Sequence, residues 1–403
     1  MSTRTPPTPR RQVPLALVAV VVMTLPLGTV YAFSVFLRPL EAELAVGRAE
    51  LSFVFGLALV GFTLGMNLAP ALYRLAPAWI LVAGCAAVSS AGIALAAAAT
   101  GLAQLTLGYG VLFGLGGGGA YVLLLQGVNL MLQGGGRRQG LVNGFIVSLF
   151  PIGAMIGAPL FGWALERWGL RATLGGLAAT LASAGGLAAV LVLISRMVVV
   201  APAGGGPAAP PERKAWIFWR LWAVFFLAAA AGLTVLGQAA GMVEAYGGST
   251  ALALFAATAI TGCIAAARIG GGWLADRFSA PAVMVGAHVL ALCGDLLLLA
   301  FPGPLASVAA LAMIGMGYGL VSGSSAAAVA VYWGAEQYGR VAGRLYVAWC
   351  AAAVTLPIVA GHLFDLSGGY AGAIMIAAGG NALGIAVAAG LPRRGRERAA
   401  AGR

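Results

Sequence analysis

The chain has 403 residues, of which 61% are hydrophobic and only 8% are charged. A soluble domain of this size needs many more charged residues on its surface, so the composition excludes a soluble protein. The formal net charge is +12, but the basic residues cluster in short segments between apolar runs. That distribution is typical of membrane orientation and argues against nucleic-acid binding.

Apolar runs long enough to span a bilayer recur along the whole chain. They predict an all-α polytopic membrane protein with twelve transmembrane helices, numbered in chain order. The predicted helices cover residues 14–38, 50–72, 77–99, 103–131, 139–165, 171–195, 217–243, 250–275, 281–300, 304–333, 338–363 and 370–391. The first run, from Pro14 to Leu37, is too long for the apolar region of a signal peptide, so it is interpreted as predicted helix 1.

A segment rich in proline, glycine and alanine separates predicted helices 6 and 7, and such a composition does not form a packed core. We therefore predict three parts. Residues 1–195 form a six-helix bundle with a short basic tail, residues 196–216 form a cytoplasmic linker, and residues 217–403 form a second six-helix bundle with a short basic tail.

The basic residues predict the orientation in the lipid bilayer. If both termini are cytoplasmic, 18 of the 23 Lys and Arg residues lie inside and 4 lie outside, with Arg268 in neither group. Positive charge is concentrated on the cytoplasmic side of membrane proteins. We expect a multi-pass protein of the cell inner (plasma) membrane with both termini in the cytoplasm.

The two halves of the chain resemble each other. Gly140 pairs with Gly339, and Gly144 with Gly343, at an offset of 199 residues. The segment GLGGG (114–118) pairs with GMGYG (315–319) at a similar offset. A duplicated six-helix unit explains this spacing, and repeated halves are a feature of transporters.

Arg268 is the most unusual residue of the apolar segments. It lies eight residues before Asp276, at the predicted cytoplasmic end of helix 8. That spacing puts it about 12 Å deep, close to the midplane of a bilayer core about 30 Å thick. Because arginine does not lose its proton, we expect it to face a water-filled cavity and to bind an anion. The alternative is a structural arginine bonded to backbone carbonyls.

The segment GGGWLADRF, between predicted helices 8 and 9, resembles the cytoplasmic loop motif of the major facilitator superfamily. Gly272, Asp276 and Arg277 fit that motif. Glycine allows close approach of helices, and the acidic and basic side chains can lock neighbouring helix ends, so these three are predicted gating residues. The first-half loop departs from the motif, because Tyr73 stands where an aspartate is expected.

A narrower resemblance concerns predicted helix 1. Its sequence LGTVYAFSVFLRPLEAEL is similar to the branch that holds oxalate/formate antiporters and bacterial monocarboxylate transporters. The resemblance implies a monomer in which an arginine of helix 8, here Arg268, binds the substrate carboxylate. It also implies that helices 1, 4, 7 and 10 face a central cavity.

Four further residues are predicted to bind substrate. Tyr31, Tyr121 and Tyr332 lie on predicted cavity helices and offer a hydroxyl together with an apolar ring. Asn143 is a polar residue of predicted helix 5. The alternatives are packing or interfacial tyrosines and an asparagine that bonds between helices.

The interior of predicted helix 11, YVAWCAAAVTLPIV, contains no Lys or Arg. The resemblance implies a lysine there in oxalate transporters, so one buried cation matches a monocarboxylate such as lactate or pyruvate better than a dianion. Proton coupling is expected, although exchange and entry of the neutral acid stay open. The candidates for the proton-carrying residue are Asp295, Glu244, His288 and His362. Asp295 lies five residues before the end of predicted helix 9 and is expected to reach the interface.

The main prediction is a secondary transporter of small monocarboxylates that works by alternating access. An oxalate/formate-type exchanger, a drug or sugar carrier and a non-transporting membrane sensor are alternatives. An enzyme is not expected, because two distant histidines form no catalytic constellation. The four cysteines have no metal-ligand spacing, so neither a metal nor a cofactor is expected.

Overall fold

The computed structural model describes residues 12–133, 138–200 and 211–392. The structure is 89% helix, and its described residues contain no strand, so the predicted all-α fold is confirmed. Both predicted tails, with their arginines, lie outside the described residues. The same is true of 201–210, the greater part of the predicted linker.

The described residues form thirteen α-helices, with a 3₁₀ segment at Thr29–Phe36 and a π-helical segment at Thr106–Phe113. The helices are α1 (Gln12–Gly28), α2 (Leu37–Leu44), α3 (Arg48–Leu72), α4 (Ala78–Ala97), α5 (Leu102–Leu105), α6 (Gly114–Met131), α7 (Gln139–Ile194), α8 (Pro211–Ala245), α9 (Thr250–Arg277), α10 (Ala280–Ala300), α11 (Pro304–Ala353), α12 (Leu356–Ser367) and α13 (Ala371–Ala389).

Ten stretches among the described residues are long and apolar enough to cross a membrane. Two of them, Gln139–Ile194 with 56 residues and Pro304–Phe364 with 61, are each long enough for two crossings. Each is interrupted by a glycine with positive φ, Gly169 at 76° and Gly334 at 74°. Glycine adopts this conformation readily, so each stretch contains two helices that turn at the glycine. Ten stretches with two counted twice match the twelve predicted helices.

The helices group into two compact units. Among the described residues, unit 1 contains 12–133, 157–200 and 335–343, and unit 2 contains 138–156, 211–334 and 344–392. Long helices therefore change unit along their length. The first part of α7 belongs to unit 2, and the segment 335–343 of α11 belongs to unit 1. The predicted division at residues 196–216 stays a prediction.

The glycine run 116–119 packs the middle of unit 1. A Cβ at Gly118 of α6 would lie 1.8 Å from the carbonyl oxygen of Phe62 in α3, and one at Gly116 would lie 2.5 Å from that of Cys85 in α4. Any larger residue would push these helices apart. The run therefore serves close helix packing, as small residues commonly do within membranes.

Candidate functional site

Arg268 lies on α9 of unit 2, a helix whose start is capped by Ser249. The Ser249 hydroxyl accepts a hydrogen bond from the backbone N–H of Leu252 at 3.3 Å. The helix contains no acidic residue before Asp276. The side chain of Arg268 is 3% exposed, so this permanent cation is buried within the protein.

Glycines bring two other helices of unit 2 against the backbone of α9 at the level of Arg268. A Cβ at Gly323 of α11 would lie 1.9 Å from the carbonyl oxygen of Arg268, and a Cβ at Gly144 of α7 would lie 2.4 Å from the same oxygen. About one turn further along, Gly272 approaches Gly140 of α7 just as closely. This packing holds the Arg268 side chain between α7 and α11.

The guanidinium of Arg268 makes hydrogen bonds to both neighbouring helices. One Nη donates to the backbone carbonyl of Val147 in α7 at 2.9 Å, and the other donates to the hydroxyl of Tyr318 in α11 at 2.9 Å. The charge also lies 5.1 Å from the centre of the Tyr318 ring, within range of a cation–π interaction. The predicted alternative of a bond to a backbone carbonyl is thus present, together with a side-chain partner.

Tyr318 is a residue of this site that the sequence did not single out. The tyrosine predicted for the site on predicted helix 10 is Tyr332, whereas the phenol beside Arg268 belongs to Tyr318. The available signal is the segment GMGYG, which places Tyr318 between two glycines. Gly319 packs against Ile264 of α9, so the tyrosine next to it is held at that helix.

The other predicted substrate-binding residues divide between the units. Asn143 is fully buried on α7 in unit 2. Tyr332 also belongs to unit 2, where its hydroxyl donates to the carbonyl of Pro392 at 2.8 Å. It follows Tyr318 by fourteen residues, about 21 Å along α11. Tyr31 and Tyr121 lie in unit 1; Tyr31 is half-buried, and Tyr121 is buried against the ring of Phe62.

The carboxylate of Asp276, at the end of α9, binds the start of α7 within unit 2. Its two oxygens accept the backbone N–H groups of Gly140 and Leu141, each at 2.8 Å. These amides have no partner inside their own helix, and the positive end of the helix dipole favours a carboxylate there. The neighbouring Arg277 is exposed and lies over the ring of Trp273, 5.7 Å from its centre.

Gln126 makes the corresponding bonds in unit 1. Its Oε1 accepts the backbone N–H of Gly339 at 2.6 Å, and its Nε2 donates to the carbonyl of Ala335 at 2.9 Å. Gly339 is the repeat partner of Gly140. An amide from α6 therefore binds the backbone position that is equivalent to the one Asp276 holds. The only sequence signal was a polar residue in an apolar helix, which the repeat pattern did not connect with Gly339.

Tyr73, which replaces the expected aspartate in the first-half loop, lies beside the same glycine. A Cβ at Gly339 would be 2.3 Å from the Tyr73 hydroxyl oxygen, so the two groups are close. Burial raises the pKa of the Tyr73 phenol, which is therefore neutral at physiological pH. The tyrosine occupies the place of the aspartate without supplying its charge, and Gln126 provides the acceptor.

Comparison with known proteins identifies the class. Two overlapping stretches, residues 15–342 and 239–402, match the sequence profile of the Major Facilitator Superfamily. The chain belongs to this superfamily and is a multi-pass membrane transporter of that fold.

The individual relatives are distant. An uncharacterized MFS-type transporter of Escherichia coli K12, YhjX, is 25% identical over 346 residues, which cover 83% of this chain and 84% of YhjX. The structure of the proton:xylose symporter XylE aligns with a TM-score of 0.71 at 12% identity, over 95% of this chain and 96% of XylE. The human organic anion transporter MFSD10 aligns with a TM-score of 0.67 at 15% identity, over 96% of this chain and 100% of MFSD10. At such identities the structural similarities concern the fold alone.

Proposed function

We propose that the protein is a secondary transporter of small monocarboxylates such as lactate or pyruvate, and that Arg268 binds the carboxylate. The observation that carries this proposal is the burial of a permanent cation between α7 and α11, hydrogen-bonded to the neutral oxygens of Val147 and Tyr318. A carboxylate offers a stronger, charge-assisted bond than either neutral oxygen. The anion would therefore compete for the guanidinium.

Tyr318 extends this proposal. Because its oxygen accepts a hydrogen bond from Arg268, its own O–H can be donated to a carboxylate oxygen. A cation and a hydroxyl then recognise one carboxylate together, while the apolar surroundings suit a short carbon chain. Tyr31, Tyr121, Tyr332 and Asn143 stay predicted substrate-binding residues.

The preference for one carboxylate follows from the supply of buried positive charge. No Lys or Arg occurs between Tyr346 and Val359. A dianion bound at Arg268 would bring a second carboxylate into an apolar environment without a matching cation. Co-transport of one proton would make the entry of a monocarboxylate electrically neutral.

We further propose that Asp276 and Gln126 act as paired locks during alternating access, with Gly272 and Arg277 as the supporting residues of the first lock. Each lock holds the start of a helix through backbone N–H groups, those of Gly140 and Leu141 or that of Gly339. Bonds of this kind break and form again without rearranging the helix itself. They therefore suit a step that is repeated in every transport cycle.

The test is uptake of labelled L-lactate into proteoliposomes, with and without an inward proton gradient. Wild type, Arg268→Gln and Arg268→Lys are compared with Arg38→Gln, which removes an exposed arginine as the matched control. We expect gradient-driven uptake in wild type and in the control. Arg268→Gln should reduce uptake on the order of 100-fold, and Arg268→Lys should retain a part of it, because lysine keeps the charge but loses the planar geometry.

Other substrates decide between the alternatives. Uptake of L-lactate that survives Arg268→Gln unchanged would show that the arginine is structural. Oxalate uptake that requires oxalate inside the vesicles, with no signal for lactate, would favour an exchanger. Uptake of xylose or fucose with no signal for any acid would identify a sugar carrier.

A further inference from the structure

Three polar side chains of unit 2 form a buried cluster that does not include Arg268. His288 Nδ1 lies 2.9 Å from Asn381 Oδ1, and Asn381 Nδ2 donates to Asp295 Oδ2 at 2.8 Å. His288 and Asp295 lie two turns apart on one face of α10, and Asn381 reaches both from α13. None of the three is more than 1% exposed. The prediction that Asp295 reaches the interface is therefore wrong, because α13 covers it.

The cluster has a direction. The amide of Asn381 donates only through nitrogen, so Asp295 is the acceptor at one end, and Asn381 Oδ1 accepts from the imidazole at the other. His288 thus fixes the orientation of Asn381, and Asn381 fixes one oxygen of Asp295.

Asp295 also borders a small cavity. Among the described residues, Asp295 Oδ1 has no hydrogen-bond partner. The cavity wall is otherwise built from α8, α11, α12 and α13, and it consists of small or apolar side chains with the single hydroxyl of Thr234. That hydroxyl donates to the carbonyl of Ala230 at 2.8 Å. An ionised carboxylate is unfavourable in such surroundings, and the binding of one proton removes the charge.

Among the described residues of these helices, no other titratable side chain lines the cavity. His288 is connected to Asp295 only through Asn381. Further charged or titratable side chains on the surrounding helices do not line the cavity. They include Arg220 and Glu244 on α8, Arg268, Asp276 and Arg277 on α9, Tyr318, Glu336, Arg340 and Arg344 on α11, and His362 on α12. Glu244 and His362 are exposed. Asp295 is therefore the only carboxyl group at this cavity within the described part of the chain.

The cavity adjoins the Arg268 site through two helices. On α11, Ile314 lines the cavity and Tyr318 follows one turn later on the same face. On α8, Ala231 lines the cavity, and a Cβ at the next residue, Gly232, would lie 2.3 Å from Tyr318. A change of packing at the cavity would therefore move the tyrosine that holds Arg268.

We propose that Asp295, held by Asn381 and His288, is the proton-binding site that couples transport to the proton gradient. The inference rests on the proposed monocarboxylate transport for its role in the cycle. Asp295 takes up one proton from the outer side as its carboxylate becomes a carboxylic acid, which lets α8 and α11 close around the apolar cavity. It releases that proton to cytoplasmic water after the substrate anion has left Arg268.

A proton fits this cavity better than a metal cation. The wall offers one carboxylate oxygen and one hydroxyl that already bonds to Ala230, whereas a sodium or divalent ion requires several oxygen ligands. A proton requires only one oxygen. A sodium gradient in place of the proton gradient is therefore part of the test.

The transport test compares wild type with Asp295→Asn, using L-lactate as the probe. Glu244→Gln is the matched control, since it also converts an acid to its amide but at an exposed position. We expect Asp295→Asn to lose accumulation driven by the proton gradient, on the order of 10-fold or more, while it retains exchange of external for internal L-lactate. Retained exchange shows that the variant is folded and that Arg268 still works.

Proton-driven accumulation by Asp295→Asn at the wild-type level would overturn the proposal, and so would its loss in Glu244→Gln. Accumulation driven by sodium instead of protons would overturn it as well. His288→Gln tests the positioning role. The pH at which accumulation of L-lactate is half-maximal should differ between His288→Gln and wild type, and the variant should retain exchange.

A second measurement does not depend on the substrate. Infrared difference spectra of the purified protein between acidic and alkaline pH should contain the C=O band of a protonated carboxyl group in a dry environment. The band should be absent from Asp295→Asn and present in Glu244→Gln. If wild type transports no L-lactate but shows this band, the proposed function fails and the proton site stands. If the band persists in Asp295→Asn, the proton site fails whatever the substrate is.

Discussion

The hydroxyl of Tyr318 fixes the direction of the Arg268 guanidinium, while the ring beneath it adds a cation–π contact. These two contributions can be separated by substitution, because phenylalanine retains the ring and loses only the hydroxyl. Tyr332 offers a comparison on the same helix, since its hydroxyl bonds to the backbone at Pro392.

Tyr318→Phe should therefore weaken the apparent affinity for L-lactate. The loss of one hydrogen bond of about 1 kcal/mol raises KM about 5-fold. Concentration-dependent uptake in proteoliposomes measures this. Tyr332→Phe is the comparison, and we expect its KM to stay close to wild type. A larger effect of Tyr332→Phe than of Tyr318→Phe would restore the assignment that the sequence favours.

At this level the sequence predicted the charge but not its partners. Arg268 stands out because a cation in an apolar run is rare, and that reasoning needs no structure. Its partners Val147 and Tyr318 are separated from it by 121 and 50 residues. In the cluster, Asn381 is 86 residues from Asp295 and 93 residues from His288 in the sequence. Nothing local in the sequence records contacts over such distances. The fully buried Asp295 was wrongly expected at the interface for this reason.

Glycines determine how closely α9 approaches the helices around it. Gly272 and Gly140 face each other across α9 and α7, where a Cβ at Gly272 would lie 2.1 Å from the carbonyl oxygen of Gly140. A Cβ at Gly270, only two residues earlier, would lie 4.0 Å from its nearest neighbour, the Cδ2 of Leu320. The two positions therefore form a matched pair on one helix.

Gly272→Ala should force α9 and α7 apart, at a destabilisation of about 1–3 kcal/mol. The same substitution at Gly270 should be harmless, because the methyl group has room and alanine favours helix. Thermal unfolding of the purified variants and their L-lactate uptake measure the difference. Equal behaviour of the two variants would contradict the close packing described for Gly272.

The contacts of Asp276 with Gly140 and of Gln126 with Gly339 lead to a reciprocal prediction. Asp276→Ala should speed hydrogen–deuterium exchange at the amides of Gly140 and Leu141, and Gln126→Ala should do the same at Gly339, each on the order of 10-fold. Each variant is the control for the other, because exchange at the opposite helix start should be unchanged. Faster exchange at both starts in either variant would indicate general destabilisation and would contradict two separate locks.

The helices themselves were largely predictable, since apolar runs of membrane length specify them. The turns at Gly169 and Gly334 agree with the gaps between predicted helices 5 and 6 and between predicted helices 10 and 11. The repeat at offset 199 pairs Gly140 with Gly339, and each lies within about two turns of where its helix begins, but the repeat could not reveal that Gln126 replaces the missing aspartate. That acceptor comes from a different helix in each half, so the repeat does not preserve it.

For the whole chain, the distribution of arginines predicts the orientation in the membrane. With 18 basic residues on one side and 4 on the other, both termini should lie in the cytoplasm. A C-terminal fusion to a fluorescent protein that folds only in the cytoplasm should be bright, and a fusion to a phosphatase that is active only outside should be inactive. An active phosphatase fusion would contradict the predicted orientation.

The measurement that tests the central claim most directly is calorimetric binding of L-lactate and of its neutral amide to purified protein. If Arg268 binds the substrate carboxylate, wild type should bind L-lactate and bind lactamide on the order of 100-fold more weakly, because the amide lacks the charge. Arg268→Gln should bind neither well, whereas Arg38→Gln should match wild type. Binding of L-lactate by Arg268→Gln with wild-type affinity, or equal binding of lactate and lactamide by wild type, would contradict the account.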